Sequence, residues 1–219
     1  MIKLGKLVAG IGIVGVLGLG QAQAVILNEG FDGPIPPPGW TIINNSTGPG
    51  TTSWFKGDPA VFAAQAGADD SYAAANFNAA TFGGNIRNWL LTPTVKLHNG
   101  AEFTFSTRTE TGSTFGDQLA ARLCVITPVQ DCTTTAGFTT DLISLFTVPD
   151  VWTQEFYTFS GLGNDATGRI GFFYRVNDTS VNGDYIGIDS VNIPEPSTLA
   201  VFALGLAMLG WNLRRGNAR

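Results

Sequence analysis

The sequence has few charged residues, few sulfur-containing residues and a single histidine. Only 13% of its 219 residues are charged, and it has one His, two Cys and two Met. A metal site built from several cysteine and histidine ligands is therefore excluded. The net charge is −5, from 12 Lys and Arg against 17 Asp and Glu. Because binding to nucleic-acid phosphates needs clustered basic residues, a nucleic-acid-binding protein is not expected.

The residues that build a folded core are, in contrast, abundant. Hydrophobic residues make up 44% of the sequence and aromatic residues 11%. These fractions are sufficient for a packed domain, which excludes a wholly disordered chain. The length suits one domain of medium size with additional segments at its ends.

Residues 1–24 have the composition of a secretory signal peptide. Lys3 and Lys6 precede an apolar segment over 7–19, and Ala22 and Ala24 form the small-x-small pattern of a cleavage site. We therefore predict a signal helix that signal peptidase removes after residue 24. A permanent membrane anchor fits less well, because the apolar segment is short and rich in glycine.

Residues 194–219 form a second segment with a different order of parts. Its parts are Pro194, Glu195 and Pro196, then an apolar segment over 199–213, then Arg214 and Arg215. Because about 20 apolar residues span a bilayer comfortably, residues 199–213 predict one marginal transmembrane helix. The basic tail would hold its end on the cytoplasmic side of the membrane.

This order of parts resembles the PEP-CTERM sorting signal of Gram-negative bacteria that produce exopolysaccharide, also called the ice-binding protein C-terminal motif. The resemblance implies that an exosortase-type membrane protease cuts near the Pro-Glu-Pro sequence. It also implies an exported protein, held first at the inner membrane by its C-terminal helix and then placed at the cell surface or in the extracellular matrix. An ordinary C-terminal membrane helix is the alternative.

The region between the two signals is more acidic than the whole chain. Residues 25–193 contain 16 acidic and 7 basic residues, a net charge of −9. We expect such a surface to repel anionic partners and to attract divalent cations.

The same region, 25–193, has the pattern of an all-β domain. Phe103 and Phe105 alternate with Thr104 and Ser106, which is typical of a half-buried strand. Other strands are predicted at 25–31, 86–91, 118–126, 152–159, 169–176 and 184–193. The alanine-rich segment 60–80 has room for a helical turn, although Gly and Asp interrupt it. So many short strands predict two packed antiparallel sheets, a β-sandwich of the jelly-roll type.

Cys124 and Cys132 are the only two cysteines, and the chain is predicted to be exported. Because disulfides form in oxidising compartments, we predict a structural disulfide between them. A redox-active pair is the alternative, but the two cysteines lack the Cys-x-x-Cys spacing.

Five segments in this order resemble the choice-of-anchor J domain, which is related to cleaved-adhesin and MAM-like jelly rolls. The segments are 28–32, 38–40, 89–93, 117–123 and 187–191. The resemblance implies a binding or adhesion module that has no common catalytic activity. It also implies a structural calcium ion held by Glu29 or Asp32 on the first strand and by Asp189 on the last. Alternatively, Asp189 forms hydrogen bonds at a strand end.

One tryptophan is a candidate for contact with a ligand. Trp54, among Ser, Thr and Gly, is predicted to be exposed and to stack on a sugar, whereas core burial is the ordinary fate of such residues.

We therefore expect a non-catalytic role in adhesion or in association with exopolysaccharide. A glycan-active enzyme module and an inert structural surface protein are the alternatives. With 16 acidic residues in 25–193, some carboxylate pair with glycosidase spacing is always available, so the sequence does not discriminate.

Overall fold

The computed structural model describes residues 27–164 and 166–194. This part of the chain forms twelve β-strands and two short 3-10 turns, Phe77–Ala79 and Thr135–Gly137. The strands are β1 (Leu27–Glu29), β2 (Thr41–Asn44), β3 (Phe55–Lys56), β4 (Ala73–Asn76), β5 (Ile86–Leu91), β6 (Val95–Lys96), β7 (Glu102–Thr109), β8 (Gln118–Val125), β9 (Thr140–Thr147), β10 (Thr153–Thr158), β11 (Thr167–Val176) and β12 (Tyr185–Ile193).

The strands form two antiparallel sheets. Sheet 1 has the order β10-β7-β12-β4-β3, and β1 also pairs with β12. Sheet 2 has the order β2-β5-β11-β8-β9, and β6 also pairs with β11. Most neighbours in each sheet are not consecutive in the sequence; β3 with β4 and β8 with β9 are the exceptions. The prediction of an all-β fold of two packed antiparallel sheets is confirmed.

The core lies between the inner faces of the two sheets. Phe103 and Phe105 of β7 are fully buried and project toward β11. The ring of Phe105 meets that of Phe172 edge to face, with centroids 5.0 Å apart. Each such side chain contributes roughly 1.5–3 kcal/mol through burial. The alternation of Phe and Thr read from the sequence therefore sets which face of β7 is inside.

The alanine-rich segment contains a strand where only a helical turn was considered. Ala73, Ala74 and Ala75 of β4 have no exposed surface. Ala73 and Ala75 belong to the sandwich core, whereas Ala74 packs with Phe62 and Tyr72 on the outer face. Because both faces of β4 are covered, small side chains are needed there. The helical turn forms immediately after the strand, at Phe77–Ala79.

The predicted disulfide is present between Cys124 of β8 and Cys132. Both residues are buried, and the turn between them is closed by a bridge of Thr127 with Gln130. The bond therefore ties the end of β8 to the turn that follows it.

Both predicted terminal helices lie outside the described residues, as do Ala22, Ala24, Glu195, Pro196, Arg214 and Arg215. Within 27–164 and 166–194, no helix has the length and apolar character needed to cross a bilayer.

Candidate functional site

The long connection between β3 and β4, residues 57–72, covers half of the outer face of sheet 1. The ring of Phe62 stacks on Tyr72, with centroids 4.9 Å apart, and meets Trp152 edge to face. The Trp152 Nε1 group donates a hydrogen bond to the Ala63 carbonyl at 2.9 Å. These contacts hold the connection against the sheet, and they leave the other half of the face uncovered.

Asp189 anchors the edge of this connection. Its Oδ2 accepts hydrogen bonds from the backbone N–H groups of Gln65 at 2.9 Å and Ala66 at 3.1 Å. Its Oδ1 accepts from the backbone N–H of Ser190 at 2.5 Å. Asp189 is fully buried, and burial raises its pKa, although the three N–H donors oppose that shift. The carboxylate therefore holds residues 65–66 beside the uncovered half of the sheet.

A groove of about 390 Å³ lies where the covered and uncovered halves meet. One wall is formed by Ala66 and Gly67 and another by Gly30 and Asp32. The remaining lining residues are Asn28, Thr104, Gln154, Ser190 and Asn192. All five have polar, uncharged side chains.

Four side chains form a row across the strands, and three of them, those of Thr104, Asn192 and Asn28, line the groove. Phe156 of β10 pairs with Thr104 of β7, Thr104 with Asn192 of β12, and Asn192 with Asn28 of β1. Three spacings between neighbouring strands make the row about 14 Å long. Phe156 is 66% exposed. The row therefore presents an aromatic ring at one end and two amides at the other.

This arrangement is suited to binding polyhydroxylated molecules. Each Asn amide offers two donors and one acceptor oxygen, and each Thr hydroxyl both donates and accepts. An exposed aromatic ring presents an apolar face to C–H groups. Among the residues that line the described groove, Asp32 alone is titratable, and its Oδ1 accepts a hydrogen bond from the Ser71 hydroxyl at 2.7 Å.

The residues predicted to hold calcium, here called the acidic trio, are Glu29, Asp32 and Asp189. The Glu29 Oε1 atom accepts the backbone N–H of Phe31 at 2.7 Å, and both oxygens of Asp189 accept N–H groups. Within the described ranges, no group of three or more His, Cys, Asp or Glu side chains is placed to hold a metal ion. Calcium binding by the trio stays a prediction.

The prediction that Trp54 is exposed is wrong. Trp54 is only 3% exposed and belongs to the core between the sheets. Its ring meets Tyr174 edge to face, with centroids 6.5 Å apart. Trp54 directly precedes the short strand β3, which continues sheet 1 beside β4, and its side chain is buried and offers no stacking surface.

The sequence of β10 contains a signal for the exposed aromatic residue. In β10, Gln154, Phe156 and Thr158 alternate with Glu155 and Tyr157, and the first three are exposed. Alternation places Phe156 on the polar side of the strand. An aromatic residue is thus better predicted to be exposed when the residues two positions away on either side are polar than when the residues directly next to it are polar.

The chain carries a PEP-CTERM protein-sorting motif. The model of that motif matches residues 192–215, which begin within β12 and continue beyond the described residues. Pro194, the first residue of the predicted sorting signal, directly follows the end of β12. No curated protein matches the chain.

Solved structures share the fold. The K1 cleaved adhesin domain of Lys-gingipain from Porphyromonas gingivalis W83 is 19% identical, with a TM-score of 0.59 over 78% of this chain and 98% of that one. The K3 cleaved adhesin domain of the same protein is 16% identical, with a TM-score of 0.54 over 77% and 97%. The domain therefore has the fold of cleaved adhesin domains.

Proposed function

We propose that this chain is an exported bacterial surface protein whose sandwich domain binds a polysaccharide without catalysis, through the groove on sheet 1. On this proposal, signal peptidase removes residues 1–24 and an exosortase-type protease processes the chain near Pro194. The protein is then retained at the cell surface or in the extracellular matrix of a Gram-negative bacterium. Exopolysaccharide of the same cell is the expected ligand, and adhesion is the expected outcome.

The observation that carries the binding proposal is the row of Phe156, Thr104, Asn192 and Asn28. An exposed ring in line with hydroxyl and amide groups matches a sugar, which has apolar C–H faces and hydroxyl edges. The row lies on paired strands, so the sheet fixes the spacing of its four residues. The sorting motif at 192–215 supports an extracellular site of action.

The binding proposal is tested with the full chain on the cell's own exopolysaccharide and on a glycan array. We expect saturable retention, and we expect Phe156→Ala to weaken it about fivefold, because an aromatic contact is worth about 1 kcal/mol. Asn192→Ala should weaken it further, because it removes hydrogen bonds at the centre of the row.

The matched control is Phe82→Ala. Phe82 is 86% exposed and lies outside the strands, so this variant removes a ring that is more accessible than Phe156 and lies elsewhere. The proposed site would be contradicted if Phe156→Ala and Phe82→Ala weakened retention equally. It would also be contradicted if neither of these two variants changed retention. Degradation of the bound polysaccharide would favour the enzyme alternative, and absence of any retention would favour an inert structural protein.

The processing proposal has a separate test. Mass spectrometry of the surface form, from a strain that contains an exosortase, should find the chain to end near Pro194. A surface form that still ends at Arg219 would contradict it.

A further inference from the structure

The outer face of sheet 2 carries a cluster of arginines in an otherwise acidic domain. Arg87 of β5 pairs directly with Arg175 of β11, and on the next row Trp89 pairs with Phe173. Arg122 of β8 pairs with the residue of β11 that lies two positions before Phe173. The three arginines and the two aromatic residues line one cavity of about 300 Å³. Three of the seven basic residues in 25–193 therefore meet at a single place.

The aromatic pair forms the floor of this cavity, which we call the arginine pocket. The rings of Trp89 and Phe173 stack with centroids 4.3 Å apart, and each is only 5% exposed. The Arg122 guanidinium lies 5.3 Å from the Phe173 ring centroid and 5.9 Å from that of Trp89. Arg122 thus extends back over the rings, from its own row toward Arg87 and Arg175.

The arginines on this face differ in the partners of their guanidinium groups. The buried Arg169 donates hydrogen bonds to the Thr92 carbonyl at 2.6 Å and to the Thr41 hydroxyl at 3.0 Å. Arg122 forms an ion pair with Asp141, with Nε and Oδ1 2.7 Å apart. Within 27–164 and 166–194, neither Arg87 nor Arg175 forms an ion pair.

Arg175 also has a nitrogen atom that lacks a hydrogen-bond partner. Its Nε atom is buried and has no hydrogen-bond partner among the described residues. Like charges directly opposite each other on neighbouring strands destabilise a sheet, and a buried donor without a partner destabilises it further. A bound oxyanion would relieve the repulsion between the two guanidinium groups, because a carboxylate or sulfate accepts several guanidinium N–H groups at once.

The polar residues at the rim of the arginine pocket and the volume of the pocket favour an oxyanion that is part of a sugar. The Asn45 amide donates to the Thr135 hydroxyl at 3.0 Å, and both residues line the pocket. In the described part of the chain, this is the one hydrogen bond that their side chains form, so their remaining donor and acceptor atoms can meet hydroxyl groups. A cavity of about 300 Å³ is at the lower end of the range for small-molecule sites and exceeds what a single acidic side chain needs.

We propose that the arginine pocket binds the carboxylate or sulfate groups of an acidic polysaccharide. Arg87 and Arg175 bind the anion, Arg122, whose charge Asp141 offsets, covers the aromatic floor, and Asn45 and Thr135 contact sugar hydroxyls. The site is separate from the groove on sheet 1, so it does not depend on the function proposed above. It also revises the expectation that this acidic domain repels anionic partners, because a net charge of −9 is an average that hides a local cluster of the opposite sign.

The test measures binding of the full chain to polygalacturonate, with fully methyl-esterified polygalacturonate as the uncharged polymer of the same backbone. We expect binding to the acid form alone, weakened by salt because it depends on charge. Arg175→Gln should weaken binding at least fivefold, and the double variant Arg87→Gln/Arg175→Gln at least fiftyfold. Dextran sulfate compared with dextran tests sulfate in the same way, and binding of either anionic polymer supports the proposal.

Lys96→Gln is the matched control, because it removes one positive charge from the same sheet. Lys96 pairs with Thr167 of β11, eight residues from Arg175, so it lies about 26 Å away along the strand. It should leave the affinity unchanged. Equal losses for Lys96→Gln and Arg175→Gln, equal binding of the methyl ester, or failure of both anionic polymers to bind would overturn the proposal. Equally tight, arginine-dependent binding of poly-glutamate would overturn the assignment to a polysaccharide.

Two further measurements separate this site from folding and from the groove. Arg87→Gln should not lower the thermal midpoint, because it removes a repulsive pair rather than a supporting contact. A midpoint that falls by several degrees would mean that Arg87 supports the fold, which contradicts a binding role. Phe156→Ala should leave binding to polygalacturonate unchanged, so that the two proposals can fail independently.

Discussion

Reduction of the Cys124–Cys132 disulfide gives a direct test of how the domain is stabilised. The chain contains only these two cysteines, so a reductant has a single target. The bond closes a short loop, with a sequence separation of 8 residues. Its main effect is to limit the conformations of the unfolded chain, and this effect depends on the length of the loop.

The chain-entropy relation gives the expected magnitude. A loop of this length lowers the entropy of the unfolded chain enough to stabilise the domain by about 2.5 kcal/mol at 25 °C. In a domain of this size, that loss corresponds to a fall of about 5–10 °C in the thermal midpoint. The double variant Cys124→Ala/Cys132→Ala should lose somewhat more, because both sulfur atoms are also buried.

Urea unfolding, followed by tryptophan fluorescence, measures the difference between oxidised and reduced chains. We expect the midpoint to fall on reduction and the slope to change little, since the same core unfolds. A loss below about 1 kcal/mol would refute the entropic reasoning. It would then follow that the turn is held mainly by its hydrogen bonds, such as the bond from the Gln130 amide to the Val125 carbonyl at 3.2 Å.

Three other changes have defined outcomes. Burial raises the pKa of Asp117, and one of its oxygens has no partner among the described residues, so the free energy of unfolding should fall as pH rises above the unfolded pKa of about 4. Asp117→Asn should therefore be more stable than the parent in urea at pH 7, with the advantage lost near pH 4. Gly168→Ala places a Cβ 2.5 Å from a backbone carbonyl of β8 and should cost about 2 kcal/mol, whereas Gly163→Ala, with open space around it, should be neutral in the same assay. If the acidic trio holds calcium, a chelator should lower the thermal midpoint of the natively produced protein; an unchanged midpoint would contradict that prediction.

The class of the fold could be predicted from the sequence because strand periodicity is local. The alternation around Phe103 and Phe105 depends only on which residues face the core, and it appears in β7 as expected. The strand β9 (Thr140–Thr147) was missed. Its pairing with β8 shifts register twice, which disrupts a strict two-residue period. The strand β4 was missed because alanine indicates a strand only when both faces are covered.

The candidate sites could not be predicted in the same way, because each one is assembled from strands that are distant in the sequence. Asn28 and Asn192 are neighbours only through the pairing of the first strand with the last. Arg87 and Arg175 likewise meet only through the register of β5 with β11. Net charge and residue spacing contain no information about such pairings, which is why the arginine pocket was unexpected.

If the chain is attached through its C-terminal end, as the proposed function implies, the position of β12 has a mechanical consequence. This strand is bonded to β7 along one edge and to β1 and β4 along the other, and Pro194 follows it directly. A force applied at that end pulls β12 along its own length, so the hydrogen bonds on both edges bear the load together in shear. Peeling, in which bonds break one at a time, is avoided. Attachment at this point would thus help the domain to stay folded under a pulling force.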